Sequence, residues 1–179
     1  MKQHHVFSFL QRMGKSFMLP IAVLPVAGIF LGVGSSLTNE TTIAVLHLES
    51  VLGQGTFLYS VLILLKQVGK VLFDNLPLIF AVSIALGMSK RRKEVAALAA
   101  IIAFFVMHAT INTLLCLDGS IVNGVVSNYI LDGSITSVCG MLSLEMGVFG
   151  GIVVGLGVSY LHNRFYQIQL PNVISFYEG

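Results

Sequence analysis

The sequence predicts an all-α integral membrane protein, with four to five transmembrane helices and further amphipathic or interfacial segments. Three observations carry this. Of 179 residues, 55% are hydrophobic and only 10% are charged, against roughly 25% charge in a soluble domain; the mean hydropathy is +0.88. Several uncharged runs approach or reach the roughly 20 residues a helix needs to cross a bilayer. Of ten Lys and Arg residues, four sit together at Lys90, Arg91, Arg92 and Lys93, and such clusters tend to stay on the cytoplasmic side. A core of this size cannot hide so much apolar surface, which disfavours a soluble domain. A formal charge of +2 is too small, and too concentrated, to suit nucleic acid.

The elements follow in chain order. Residues 1–16 carry Lys2, Arg12 and Lys15 among alternating apolar and polar residues, which predicts a cytoplasmic interfacial segment. A membrane domain is expected over 17–161. Phe17–Leu37 is uncharged and forms the first candidate span. Its Pro20 and Pro25 predict a kink or a late start, which membrane helices tolerate when neighbours satisfy the freed carbonyls. Gly28 and Gly32 form a small-xxx-small pair that admits close approach of another helix. Thr38–Ser50 holds Glu40 and Glu49 and no basic residue, as an external loop would. Val51–Leu65 is apolar but short for a span, which suits a re-entrant or interfacial segment. Residues 71–88 start with Asp74, Asn75 and Pro77 and end on the basic cluster, giving the second span. Val95–Leu117 is the third. Asp118–Gly140 is Gly/Ser/Asn-rich with no basic residue, so it is expected outside. Met141–Leu161 is the last span; Gly147, Gly151 and Gly155 repeat every four residues on one face, as close helix packing requires. An amphipathic linker, 162–179, closes the sequence.

Counting charges orients these spans. If 51–70 does not cross, Lys2, Arg12, Lys15, residues 90–93 and Arg164 all lie inside, eight of the ten basic residues. If it crosses, five fall on each side and the cluster faces out. The positive-inside rule prefers four full spans with a cytoplasmic amino terminus. Cys116 and Cys139 flank the outer loop, which leaves a disulfide open, but neither sits in a CxxC or near a metal-ligand cluster. No metal, no cofactor and no catalytic constellation is expected.

Four blocks in order carry a resemblance: GKSFMLPIAVLPVAGIFLGVGSSL (14–37), FDNLPLIFAVSIALGMSK (73–90), LEMGVFGGIVVGL (144–156) and LHNRFYQIQLPNVISFYEG (161–179). They resemble the membrane permease component, enzyme IIC, of the bacterial phosphoenolpyruvate-dependent sugar phosphotransferase system, in its glucose/maltose/glucoside branch. The resemblance implies a homodimeric inner-membrane sugar permease working with enzyme IIB and IIA phosphocarrier domains. It also implies a five-helix amino-terminal half that builds the dimer interface, in conflict with the charge count, and a carboxy-terminal half that holds the sugar site and a Gly-Ile-Thr-Glu type motif. That motif is absent here, and neither cysteine has the setting of the phosphorylated enzyme IIB cysteine. The sequence therefore looks like the front half of a permease, as a fragment, a truncated product or a split subunit. Two functions follow: the oligomerisation scaffold of a sugar permease, or a non-transporting membrane protein that only self-associates or pairs with a full-length permease.

Few side chains invite a chemical role. His108 and Asn112 lie one turn apart on one face of a span. An intramembrane ionisable residue is a functional candidate; the alternative is a neutral His108 bonded to Asn112 or to a neighbouring helix. Asp74 follows Lys70 at the i,i+4 spacing of a local ion pair; the alternative is that Asp74 and Asn75 line a sugar or water path. The glycines at 147, 151 and 155 sit in an apolar run with no lysine, which favours packing over a phosphate cradle.

Overall fold

A computed structural model of the chain describes residues 2–166, with side chains from Phe7 onward; the expected linker falls mostly outside this range. Seven helices and two small hairpins follow in order: α1 (Lys2–Leu37), α2 (Glu40–Val45), α3 (Glu49–Leu52), α4 (Phe57–Asp74), α5 (Leu76–Met88), α6 (Lys93–Leu117), β1 (Ile121–Val122), β2 (Val125–Val126), β3 (Ile135–Val138), β4 (Met141–Leu144) and α7 (Gly147–Phe165).

α1 is a single helix of 36 residues with no break at the expected boundary of 16 and 17. Both prolines lie within it, and Pro20 is fully buried. Two elements share its length. The half nearer Leu37 packs on α4, where Cβ atoms at Gly34 and Gly69 would stand 2.6 Å from the Lys66 backbone nitrogen and 2.5 Å from that of Leu31. The half nearer Arg12 packs on α5: Phe17 meets Phe80 with ring centroids 5.6 Å apart, and a Cβ at Gly87 would run into Ser16. Both pairs are antiparallel, so α4 and α5 descend one after the other along α1. They meet at Asn75 with a bend of 54°. The residues expected in one span, 71–88, thus divide between two helices. Pro77, in the first turn of α5, explains the restart, since a proline there sacrifices no helical hydrogen bond.

α5 is the hub. It is apolar all round, as a helix enclosed by others must be, and buries Phe80, Ala81, Ile84, Ala85 and Met88. α6 returns antiparallel beside it, with Ala96 and Ala100 against Ala85 and Phe104 in a cluster with Ala81 and Val154. α7 runs parallel to α5. A Cβ at Gly151 would lie 1.9 Å from the Pro77 carbonyl oxygen, and one at Gly155 2.7 Å from that of Ala81. At one end, Asn163 ties α7 to the α5–α6 turn: its Nδ2 donates to the Met88 carbonyl at 2.9 Å and its Oδ1 accepts from the Lys90 amide at 2.8 Å.

Several expected boundaries move. The last helix starts at Gly147, because Met141–Leu144 is a strand paired antiparallel with β3, Ile135 opposite Leu144 and Val138 opposite Met141. The turn between them, Cys139-Gly140, has both residues at positive φ (49° and 84°), as has Asn123-Gly124 (53° and 76°) between β1 and β2. That is the geometry of two-residue hairpins. The short apolar segment 51–65 is divided: Val51 and Leu52 end α3, and residues 57–65 belong to an 18-residue helix, α4. By length and composition two helices, Phe7–Leu37 and Lys93–Leu117, suffice to cross a membrane, or three if α4 and α5 count as one bent span; a count of four to five does not follow from these criteria. Cys116 and Cys139 are both free thiols, so the open disulfide is not formed.

Candidate functional site

The break between α4 and α5, the amino terminus of α7 and the β3–β4 hairpin enclose a cavity of about 330 Å³, lined by Phe73, Asp74, Pro77, His108, Thr136 and Glu145 among others. On the far side of Asp74 lies a second cavity, of about 530 Å³, reached by Lys70, Asn75, Ser137 and Cys139. Three of the four polar candidates in the sequence, Asp74, Asn75 and His108, therefore meet in one region. Asn112 sits one turn beyond His108.

Each is held locally. Asp74 accepts a bond of 2.5 Å from Lys70 Nζ. Both side chains are more than half exposed, so the pair adds only a few tenths of a kcal/mol. Asn75 donates to the Val71 carbonyl at 2.8 Å and accepts from the Cys139 thiol at 3.3 Å. Burial pushes the Cys139 thiol above its ordinary pKa, which makes it a poor nucleophile near neutral pH.

His108 and Asn112 do not bond to each other. His108 is 2% exposed; its Nδ1 lies 2.8 Å from the Ser143 hydroxyl, and its ring packs on Phe104, with centroids 4.5 Å apart. Asn112 Nδ2 donates to the Leu142 carbonyl at 2.7 Å. Both grip strand β4. The hairpin is thus anchored to α6 by two polar contacts, one of them buried.

Glu145 bridges the hairpin and α7. One carboxylate oxygen accepts from the Thr136 hydroxyl, the other from the Gly147 amide at 3.0 Å. An acid at that place also meets the positive end of the α7 dipole. Gly147 has φ of +51°, and a Cβ there would meet only Glu145 Oε1, at an ordinary 3.7 Å. It answers a backbone requirement, whereas Gly151 and Gly155 answer contact with α5. Gly28 and Gly32 meet nothing within 4 Å and leave one face of α1 open. In the loop after α6, the Ser120 hydroxyl and amide hold the Asp118 carboxyl below its ordinary pKa.

The region offers two exposed carboxylates, a hydroxyl and an aromatic edge above an apolar floor. It can accept hydrogen bonds from a hydroxyl-rich solute. Its hydroxyl–imidazole pair, Ser143–His108, is buried, and Ser143 does not line the cavity. Sequence reasoning missed Thr136 and Ser143; Glu145 is legible in the sequence as an acid at the start of the glycine-rich helix, but not its bond to Thr136. The alternation Ile135-Thr136-Ser137-Val138 before a Cys-Gly pair was the available signal.

The family model of the phosphotransferase system EIIC matches residues 14–179. The chain belongs to the EIIC family. A relative in Staphylococcus saprophyticus subsp. saprophyticus, named the PTS system glucose-specific EIICBA component, is 37% identical over 174 residues. The alignment covers 97% of this EIIC chain and 24% of that relative, so the chain spans about a quarter of the relative's length. Every residue of the cavity lies within the matched range. Membership and the apolar helices together indicate a multi-pass protein of the bacterial inner membrane.

Proposed function

We propose that this EIIC chain is the amino-terminal, oligomerisation-scaffold part of a permease that takes up a glucose- or maltose-type sugar coupled to its phosphorylation. It works as a homodimer with EIIB and EIIA phosphocarrier domains. The family match over residues 14–179 carries the reading. The open face at Gly28 and Gly32 supports the dimer, since small residues let helices approach where apolar burial supplies no drive. In this reading the amino terminus is cytoplasmic and the chain crosses four times, through α1, the bent α4–α5 pair, α6 and α7. Asp74 and Asn75 border the outer path of sugar or water, while His108 and Asn112 brace the hairpin beside it.

The test is a chimera in which residues 1–179 replace the matching region of the glucose-specific EIICBA relative, expressed in cells lacking glucose and maltose permeases. Phosphoenolpyruvate-dependent glucose uptake is the expected result. A chimera that inserts, stays intact and gives no uptake refutes the permease reading. Gly28→Leu combined with Gly32→Leu in that chimera should abolish the cross-linked dimer; an undiminished dimer refutes the assigned interface.

A further inference from the structure

At the end of the bundle opposite the Asp74 cavity lies a third cavity, of about 520 Å³, between α1, the α5–α6 turn and α7. Its polar rim is cationic: Arg12, Lys90 and Arg164 contribute from three separate segments, with Asn163 between them. Its floor is apolar, formed by Met88 and Leu156. Polar contacts tie together the segments that carry the rim. Arg12 Nη2 donates to the Met88 carbonyl at 3.2 Å, the same oxygen that Asn163 holds, and His162 Nε2 lies 2.7 Å from the Arg91 carbonyl.

Among the described residues no acid compensates this charge. Among the described residues the one ion pair is Lys70–Asp74, at the other end of the bundle. The nearest acid in sequence, Glu94, is exposed on the first turn of α6 and does not line the cavity. Leu156 and Arg164 are two turns apart on α7, about 12 Å along its axis, so the cavity passes from cationic rim to apolar floor within the depth of a lipid headgroup region.

We propose that this cavity is a binding site for an anionic phospholipid of the inner leaflet, with the headgroup phosphodiester at Arg12, Lys90 and Arg164 and an acyl chain against Leu156 and Met88. Neither a soluble anion nor a zwitterionic lipid matches both halves. A free phosphate would use the rim and leave the floor unfilled; a phosphatidylcholine headgroup brings its own cation to three others. The inference extends the membrane reading and does not depend on which sugar is carried.

The test is retention of dioleoyl phosphatidylglycerol, against dioleoyl phosphatidylcholine, by the purified full chain in mild detergent, read by native mass spectrometry. Lys90→Gln with Arg164→Gln removes two charges without touching the contacts of Arg12 and Asn163, which use the Met88 carbonyl and the Lys90 amide. Arg91→Gln with Lys93→Gln removes two neighbouring charges outside the rim. Each rim charge removed should weaken phosphatidylglycerol retention about fivefold, so the first pair loses it about 25-fold and the second keeps it. Equal loss in both pairs reduces the effect to general surface charge and overturns the site. Displacement of the lipid by millimolar inorganic phosphate overturns it in favour of a soluble anion. If the first pair abolishes binding of an EIIB domain to the chain while lipid retention is unchanged, the patch belongs to a protein partner and the proposal fails.

Discussion

Replacing Gly151 gives the sharpest check on how the bundle is held. A Cβ there would lie 1.9 Å from the Pro77 carbonyl oxygen, 2.8 Å from its carbon and 3.1 Å from its Cα. All three are backbone atoms, so no side chain can swing aside. To reach ordinary contact α7 must retreat from α5 by about 1.5 Å at that level, and gaps of 0.5–1 Å already forfeit a quarter to a half of each dispersion contact they affect. The loss spreads to Gly155, Val154 and Ile84, the tightest part of the bundle. Gly151→Ala should cost about 3 kcal/mol, the upper end of ordinary overpacking, and Gly151→Leu more. Val153, two residues away, is 67% exposed, so Val153→Leu should stay within about 0.5 kcal/mol of the parent. Both variants can be followed by thermal unfolding and by size exclusion in mild detergent. If Gly151→Ala matches Val153→Leu in both measurements, α7 does not approach α5 as described and the packing argument fails.

Three further outcomes are expected. Ser143→Ala leaves the buried His108 imidazole without its partner and should destabilise by about 1–3 kcal/mol, whereas adding His108→Phe should recover part of the loss; additive losses in thermal unfolding contradict the coupling. Because burial raises the Cys139 pKa, its thiolate fraction at neutral pH is depressed, and its maleimide labelling rate in a Cys116→Ser background should still climb steeply above pH 9; a plateau near pH 8.5 contradicts this. In a background lacking both cysteines, Asn123→Cys should react with an impermeant thiol reagent outside intact cells and Arg92→Cys should not; the opposite pattern inverts the bundle.

Composition and charge were enough to read the membrane class, and α6 lies close to the limits that its uncharged run suggests, because a bilayer imposes length and polarity directly. The glycines divide differently. Gly151 and Gly155 belong to a visible repeat, but Gly34, Gly69 and Gly87 are each isolated in apolar sequence. Their role depends on which backbone crosses them, and that partner is distant in the chain. The hairpins hid for another reason. Asn123-Gly124 is a standard turn pair, yet only two residues on each side pair up, too few for an alternation to register. Cys139 at φ 49° is an unusual occupant of a position that Asn or Gly normally fills. His108 was legible as important, but its partner Ser143 lies 35 residues on, inside a segment whose apolar character suggested helix.

The shortness of α5 bears on the electrical profile of the membrane. A helix of 13 residues rises about 20 Å, against a hydrocarbon core of about 30 Å. Its first turn opens on a cavity bordered by the exposed carboxylates of Asp74 and Glu145, and in the proposed four-span topology this brings water and ions below the outer headgroups. The insulating layer along this axis is then about two-thirds of its usual thickness, and a membrane potential worth about 2.3 kcal/mol per charge per 100 mV falls across that shorter distance. The field along α5 is steeper by about half than in the surrounding bilayer, and any charge moving between the cavity and the basic end traverses nearly the whole voltage within three to four helical turns.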